Sequence, residues 1–279
     1  TYKGVHVMES TEFCGQACHT VMQPEATAHA RSPHSKVACA ECHIGAGADW
    51  FVKSKISGAW QLVAVAFDLY PTPIPSPVHN LRPARDTCEQ CHTPTKFTGD
   101  RLRVRKHFAD DEANTELKTV LMVHIGGQNG AEASGIHWHV GEGVNVRYLT
   151  DAKREKVWDV ELTEPDGTKK VFKTEEAAPA DAEWRQMDCV DCHNRPTHIY
   201  RDPAHEVDAA LDQGRIDKSL PFVKREAVRI LQTDYPSHEA ARKGLAEQLT
   251  AYYRANHPQV LAEKAAAVEQ AGKALGDIY

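Results

Sequence analysis

The apolar positions change their period along the chain. From residue 203 onward they recur at helical spacing among abundant Ala and Glu, which predicts helices over 203–213, 221–233, 237–256 and 258–279. The stretch 49–68 is also read as a helix, with Trp50, Phe51, Ile56, Ala59, Trp60, Val63 and Phe67 on one side and Lys53, Lys55 and Gln61 elsewhere. Such a stripe is expected to pack into a core, with contact to a membrane surface as the functional alternative. Pro71, Pro73, Pro75 and Pro77 then call for an extended crossing segment. Between 100 and 187 the pattern changes to short β-like runs at 117–123, 144–148, 157–162 and 170–173. The last two flank Pro165-Asp166-Gly167-Thr168, a hairpin signal. Gly126-Gly127 lack the strand–Gly-x-Gly-x-x-Gly context of a nucleotide site. Residues 1–48 leave little room for regular structure.

The cysteines account for that last expectation. All eight fall into pairs followed directly by His: Cys39-Cys42-His43, Cys88-Cys91-His92, Cys189-Cys192-His193 and the stretched Cys14-Gly15-Gln16-Ala17-Cys18-His19. C-x-x-C-H is the attachment motif of c-type haem: two thiols add across the porphyrin vinyl groups and the adjacent His reaches the iron. With 16 His in 279 residues, four such adjacencies arise by chance about once in 100,000. Structural zinc uses paired cysteines without requiring the following His, and four disulfides would not require it either. Four covalently attached haems c are therefore expected.

Composition then acquires a meaning. Apolar residues make up 41% and aromatics 7%, a thin supply for a core of this size, and haem would furnish the missing apolar surface. The formal charge is −6. Ferric haems with ionised propionates would take it to about −10, which disfavours nucleic acid. Haem c is attached outside the cytoplasm, so a periplasmic, cell-surface or extracellular place is expected. No run of 18 apolar residues is present; 56–70 is too short and contains Gln61 and Asp68. The chain starts at Thr1 without a signal peptide and ends in helical pattern, so a mature or trimmed chain is expected, with an anchor upstream of Thr1 left open.

Each iron needs a second axial ligand. Met22 follows His19 by three residues, so on a helical turn both point to one side, and either one binds that face. His34 is a good distal candidate and His29 a weaker one, read as a surface residue. His137 and His139, in Gly135-Ile136-His137-Trp138-His139, share a face of a segment read as extended. His198 follows His193 by five residues, with Pro196 between them, so it can serve a different haem. His238 and His257 are read as solvent-facing.

These residues resemble the NapC/NirT family of multihaem cytochromes c, which includes the small quinol-oxidising partner of cytochrome c nitrite reductase. The likeness rests on Phe13-Cys14-Gly15, Cys18-His19, Met22, Ser32-Pro33-His34, Cys39, Cys42-His43, Cys88, Cys91-His92, Cys192-His193 and His198. It implies Met22 on haem 1, His43 with His198 on haem 2, His92 with His34 on haem 3, and His193 with His137 or His139 on haem 4. It also implies a quinol site at Lys55, with a carboxylate one or two turns later; Gln61 stands there instead. Thioether ligation raises a haem's potential, so a Met-bound haem 1 would suit electron entry, and bis-His haems would act as relays.

The fold class expected is α+β: a haem-packed module over 1–99 with little regular structure, a β-rich insertion over 100–187, and the fourth motif with a helical region over 188–279. The function expected is electron transfer from membrane quinol to a periplasmic or outer-membrane redox partner, such as another multihaem cytochrome or a terminal reductase. An extracellular conduit, polymerised into a filament, is the alternative, and a haem reductase with a five-coordinate iron is a third reading.

Overall fold

The computed structural model describes residues 2–17, 19–44, 48–71, 83–93, 96, 99–129 and 132–279. Helix and strand are mixed, as expected for an α+β chain. Two compact units emerge, one of residues 1–100 with 124–199 and one of 101–123 with 200–279. This division runs differently from the one read along the sequence, because residues 101–123 group with the C-terminal helices.

The first unit begins with α1 (Tyr2–Met8), a π-helical turn (Phe13–Ala17), α2 (His19–Ala30), α3 (Cys39–His43) and α4 (Ala48–Ala66). The expectation of little regular structure before residue 48 is thus corrected: haem motifs and helical turns coexist there. The stretched first motif starts in the π turn, whose wider ring suits one extra residue. Cys18 and the side chain of His19 lie outside the described residues, as does 72–82, which carries most of the expected proline crossing. A side chain at Gly15 would press on Ala26 of α2.

Helix α4 spans the predicted region, but its apolar stripe is not core. Ile56 is 68% exposed, Trp60 62% and Phe67 71%. Periodicity specifies an apolar face and not what covers it. No helix among the described residues is long and apolar enough to cross a membrane.

After α5 (Ala84–Cys88) come β1 (Asp100–Phe108) and β2 (Glu116–His124), paired with each other, and the short antiparallel pair β3 (Gly127–Asn129) and β4 (Glu132–Ser134). A four-stranded antiparallel sheet follows, built from β5 (Asn145–Thr150), β6 (Val157–Thr163), β7 (Lys169–Lys173) and β8 (Glu183–Gln186), in the order β7-β6-β5-β8. Pairings Val146↔Leu162, Tyr148↔Val160 and Val160↔Phe172 place these residues on one face. Helix α6 (Cys189–Cys192) carries the fourth motif.

The second unit holds α7 (Pro203–Asp212), α8 (Val223–Leu231), α9 (His238–Asn256), α10 (Pro258–Glu263) and α11 (Ala265–Ile278). Its core joins Phe108 to Val207, Ile230, Leu245, Leu249, Tyr253, Val268 and Leu275, each at most 5% exposed. Gly272 brings α11 close to α9, since a Cβ there would stand 3.0 Å from that of Ala246. Asn114 anchors the β1–β2 turn, donating to Leu220 O at 2.8 Å while its Oδ1 accepts from Lys224 N at 2.9 Å. His238 is exposed, as expected; His257 is half-buried and packs on the rings of Tyr252, Tyr253 and Phe222.

Candidate haem-binding sites

Helical turns explain the motif spacing. On α3, Cys39 and Cys42 are three residues apart and His43 is four from Cys39, so all three share one side of the turn. Helix α6 repeats this with Cys189 and Cys192. Asp188 caps it in a capping box with Asp191, and Tyr148 donates to Asp191 at 2.6 Å. The second carboxylate oxygen of Asp188 accepts from Ala84 N, the first residue of α5, at 2.8 Å. One side chain thereby ties the third motif to the fourth. The Cys88 and Cys189 thiols are hydrogen-bonded to each other, and this contact, followed by burial, pushes the Cys189 thiol above its ordinary range.

The histidines are brought together in pairs. His34 and His92 have ring centroids 5.9 Å apart, His43 and His198 6.2 Å, and His137 and His193 6.3 Å. Two imidazoles on one metal ion, each nitrogen about 2 Å from it, put their centroids about 6 to 6.5 Å apart when they lie on opposite sides. The three pairs therefore fit bis-imidazole ligation of an iron.

The partners from outside the motifs share a further feature. Nδ1 of His34 lies 3.1 Å from Pro196 O, Nδ1 of His137 3.1 Å from Ile125 O, and Nδ1 of His198 3.3 Å from Glu25 O and 3.0 Å from the Glu25 carboxylate. With Nδ1 so engaged, Nε2 is the nitrogen available to a metal, the usual outer arrangement of a ligating His. Nearby packing and the His198 charge hold the His43 ring below its ordinary pKa, even though part of its surface is open. That favours the neutral, ligating form. His29 differs from the surface residue expected: it is buried, and its Nε2 lies 2.9 Å from Val37 O.

His137 and His139 are not on an extended segment. They lie on a 3-10 turn, Gly135–Val140. The turn is set by Gly126 and Gly135, both at positive φ; a Cβ on either would collide with the other strand's backbone. His137 stacks on His193 with 5° between the rings, while His139 lies 6.3 Å from His137 and tilts by 32°. Burial, then the nearby His137, lowers the pKa of His139. His139 lines a cavity of about 320 Å³ with Trp138, Val146, Val160, Leu162, Phe172 and Met187. This apolar wall ends in Met187, two residues before Cys189, and has the character a porphyrin face needs, a feature that strand alternation alone does not signal.

Met22 is half-buried on α2. Lys55 Nζ lies 2.8 Å from Glu9 Oε1 and 4.8 Å from the Phe51 ring centroid. Gln61 donates instead to Ser57 at 3.4 Å.

No family model matches the chain. It is similar to the cytochrome c-type protein ImcH of Geobacter sulfurreducens, with 47% identity over 285 residues, covering 99% of this chain and 55% of the relative. The likeness is to a c-type cytochrome. The chain spans about half the length of that curated relative. No solved structure matches.

Proposed function

We propose that this chain holds four haems c and relays single electrons between a membrane quinol and a redox partner outside the cytoplasm. The observation that carries the reading is the set of three His–His pairs at bis-imidazole separation, each joining a motif His to a ring anchored through Nδ1. Haem 2 takes Cys39, Cys42, His43 and His198. Haem 3 takes Cys88, Cys91, His92 and His34. Haem 4 takes Cys189, Cys192, His193 and His137, with His139 beside it. Haem 1 takes Cys14 and Cys18, with Met22 as ligand in place of His19. Bound haem supplies one-electron redox chemistry, and two protein ligands on an iron leave no position for substrate.

The Lys55–Glu9 pair supports the quinol end. A hydroquinone gives up two protons with its two electrons, and Glu9 supplies a carboxylate that Gln61 lacks. The exposed stripe of Ile56, Trp60 and Phe67 offers an apolar approach for a lipid-soluble ring. The NapC/NirT likeness belongs to this proposal.

Haem content by the pyridine haemochrome assay, with electron paramagnetic resonance of the ferric protein, tests the reading. Four haems per chain, with low-spin signals from haems 2 to 4, are expected. Three or fewer, or no conversion of a haem from low spin to high spin by any of the His34→Ala, His137→Ala and His198→Ala changes, would overturn it. Reduction by a menaquinol analogue tests the donor; failure there, with normal reduction by dithionite, would leave a relay fed by another protein.

A further inference from the structure

The second unit contains a histidine pair that the haem sites do not use. His107, next to last on β1, and His205, in the first turn of α7, have ring centroids 6.4 Å apart at 70°. Each ring has a carboxylate on its Nδ1 side, hydrogen-bonded to His205 and at ion-pair distance from His107. Asp202, the α7 N-cap, accepts from His205 N at 2.9 Å and from His205 Nδ1 at 2.6 Å. Asp208 Oδ2 lies 3.5 Å from His107 Nδ1. Asp208 is itself fixed, since its Oδ1 accepts from Lys224 Nζ at 2.6 Å and from Phe108 N at 3.1 Å.

We infer that His107 and His205 bind a divalent transition-metal ion of the zinc and copper class through their Nε2 atoms. Two imidazoles on one ion have centroids from about 5 Å apart in a tetrahedral site to about 6.5 Å when opposed, so 6.4 Å lies within reach. A carboxylate on the far nitrogen fixes the tautomer and raises ligand basicity, an arrangement typical of ligating His. Both rings are open to solvent, at 41% and 54% side-chain exposure, so an ion can arrive without unfolding. Neither His belongs to one of the three His–His pairs assigned to haem, which separates this pair from the proposed haem ligands. Among the described residues no three His, Cys, Asp or Glu are grouped to hold an ion, so water completes the coordination and the site is exchangeable.

The test is calorimetric titration of the ferric holoprotein with Zn(II), then with Cu(II), against the His107→Ala, His205→Ala and double variants. One ion per chain is expected, bound at least about tenfold more weakly by either single variant and not at that site by the double variant. Asp202→Asn keeps the helix cap and removes the carboxylate charge. It should weaken binding by about tenfold while the helical circular dichroism holds. Equal binding by wild type and double variant would assign the ions to other surface groups and overturn the inference, as would no binding of either metal.

Discussion

His137 and His193 stack 6.3 Å apart with their rings 5° from parallel, and Ile125 O holds the Nδ1 of His137. His139, two residues on, lies against the apolar cavity instead. His137→Ala is therefore expected to convert one ferric haem from low spin to high spin. His139→Ala should leave the spin state and shift the potential of that haem. Paramagnetic resonance and a redox titration separate the two; a high-spin signal from His139→Ala alone would reverse the assignment.

The choice between these two residues was not legible in the sequence, because it depends on a turn made by two glycines nine residues apart. The motifs were legible, since covalent chemistry fixes their spacing. His34 and His198 were legible as distal candidates; their pairing with His92 and His43 entered through the family resemblance, and the separations come from the fold. The exposure of α4 was hidden for a different reason: a periodic stripe reports a face without reporting its neighbour. Strand β1 was missed although Leu102, Val104 and Phe108 lie opposite Arg101, Arg103 and Arg105, because Lys106 interrupts the apolar side and charge dominates the run.

Glu9 and Lys55 form an ion pair across 46 residues of sequence. Glu9→Gln should slow reduction by a menaquinol analogue by about tenfold or more, the effect expected when a proton acceptor is removed. Lys55→Ala should slow it too, and Gln61→Ala should not. Stopped-flow absorbance of the reduced haem band reads all three, with dithionite reduction as the control for intact haems.

The large buried core lies in the unit of residues 101–123 and 200–279. Replacing the motif cysteines with Ser should leave this unit folded and open residues 1–100 and 124–199 to protease. Limited proteolysis with mass spectrometry checks it; equal resistance of both units would refute a structural role for haem.

Lys224 and Asp208 are a buried pair, with side chains 5% and 11% exposed. Lys224→Met strands the Asp208 charge and should destabilise the helical unit by about 3 to 5 kcal/mol, as breaking a buried pair does. Urea unfolding followed by far-ultraviolet circular dichroism measures the loss.

Asp202 titrates below the usual carboxylate range, first because His205 N donates to it and then because of the His205 ring. A carboxyl with a lower pKa in the folded state stabilises that state above its unfolded value, and the gain disappears as pH falls through the folded value. Helix α7 should therefore loosen in acid below about pH 4. Asp202→Asn keeps the cap and should remove that part of the pH dependence. Amide exchange at Ala204 and His205 reports it.

The Cys88–Cys189 contact bears on biogenesis. A thiol whose pKa is raised by a neighbouring thiol supplies little thiolate, and the two sulfurs belong to motifs separated by 96 intervening residues of chain. Once the third and fourth motifs have docked through Asp188, the Cys189 thiol is hydrogen-bonded to Cys88 and less ready to ionise. Attachment of the proposed haem at Cys189 is thus best completed on the extended chain, before docking, so that the packing of these two motifs follows it in time.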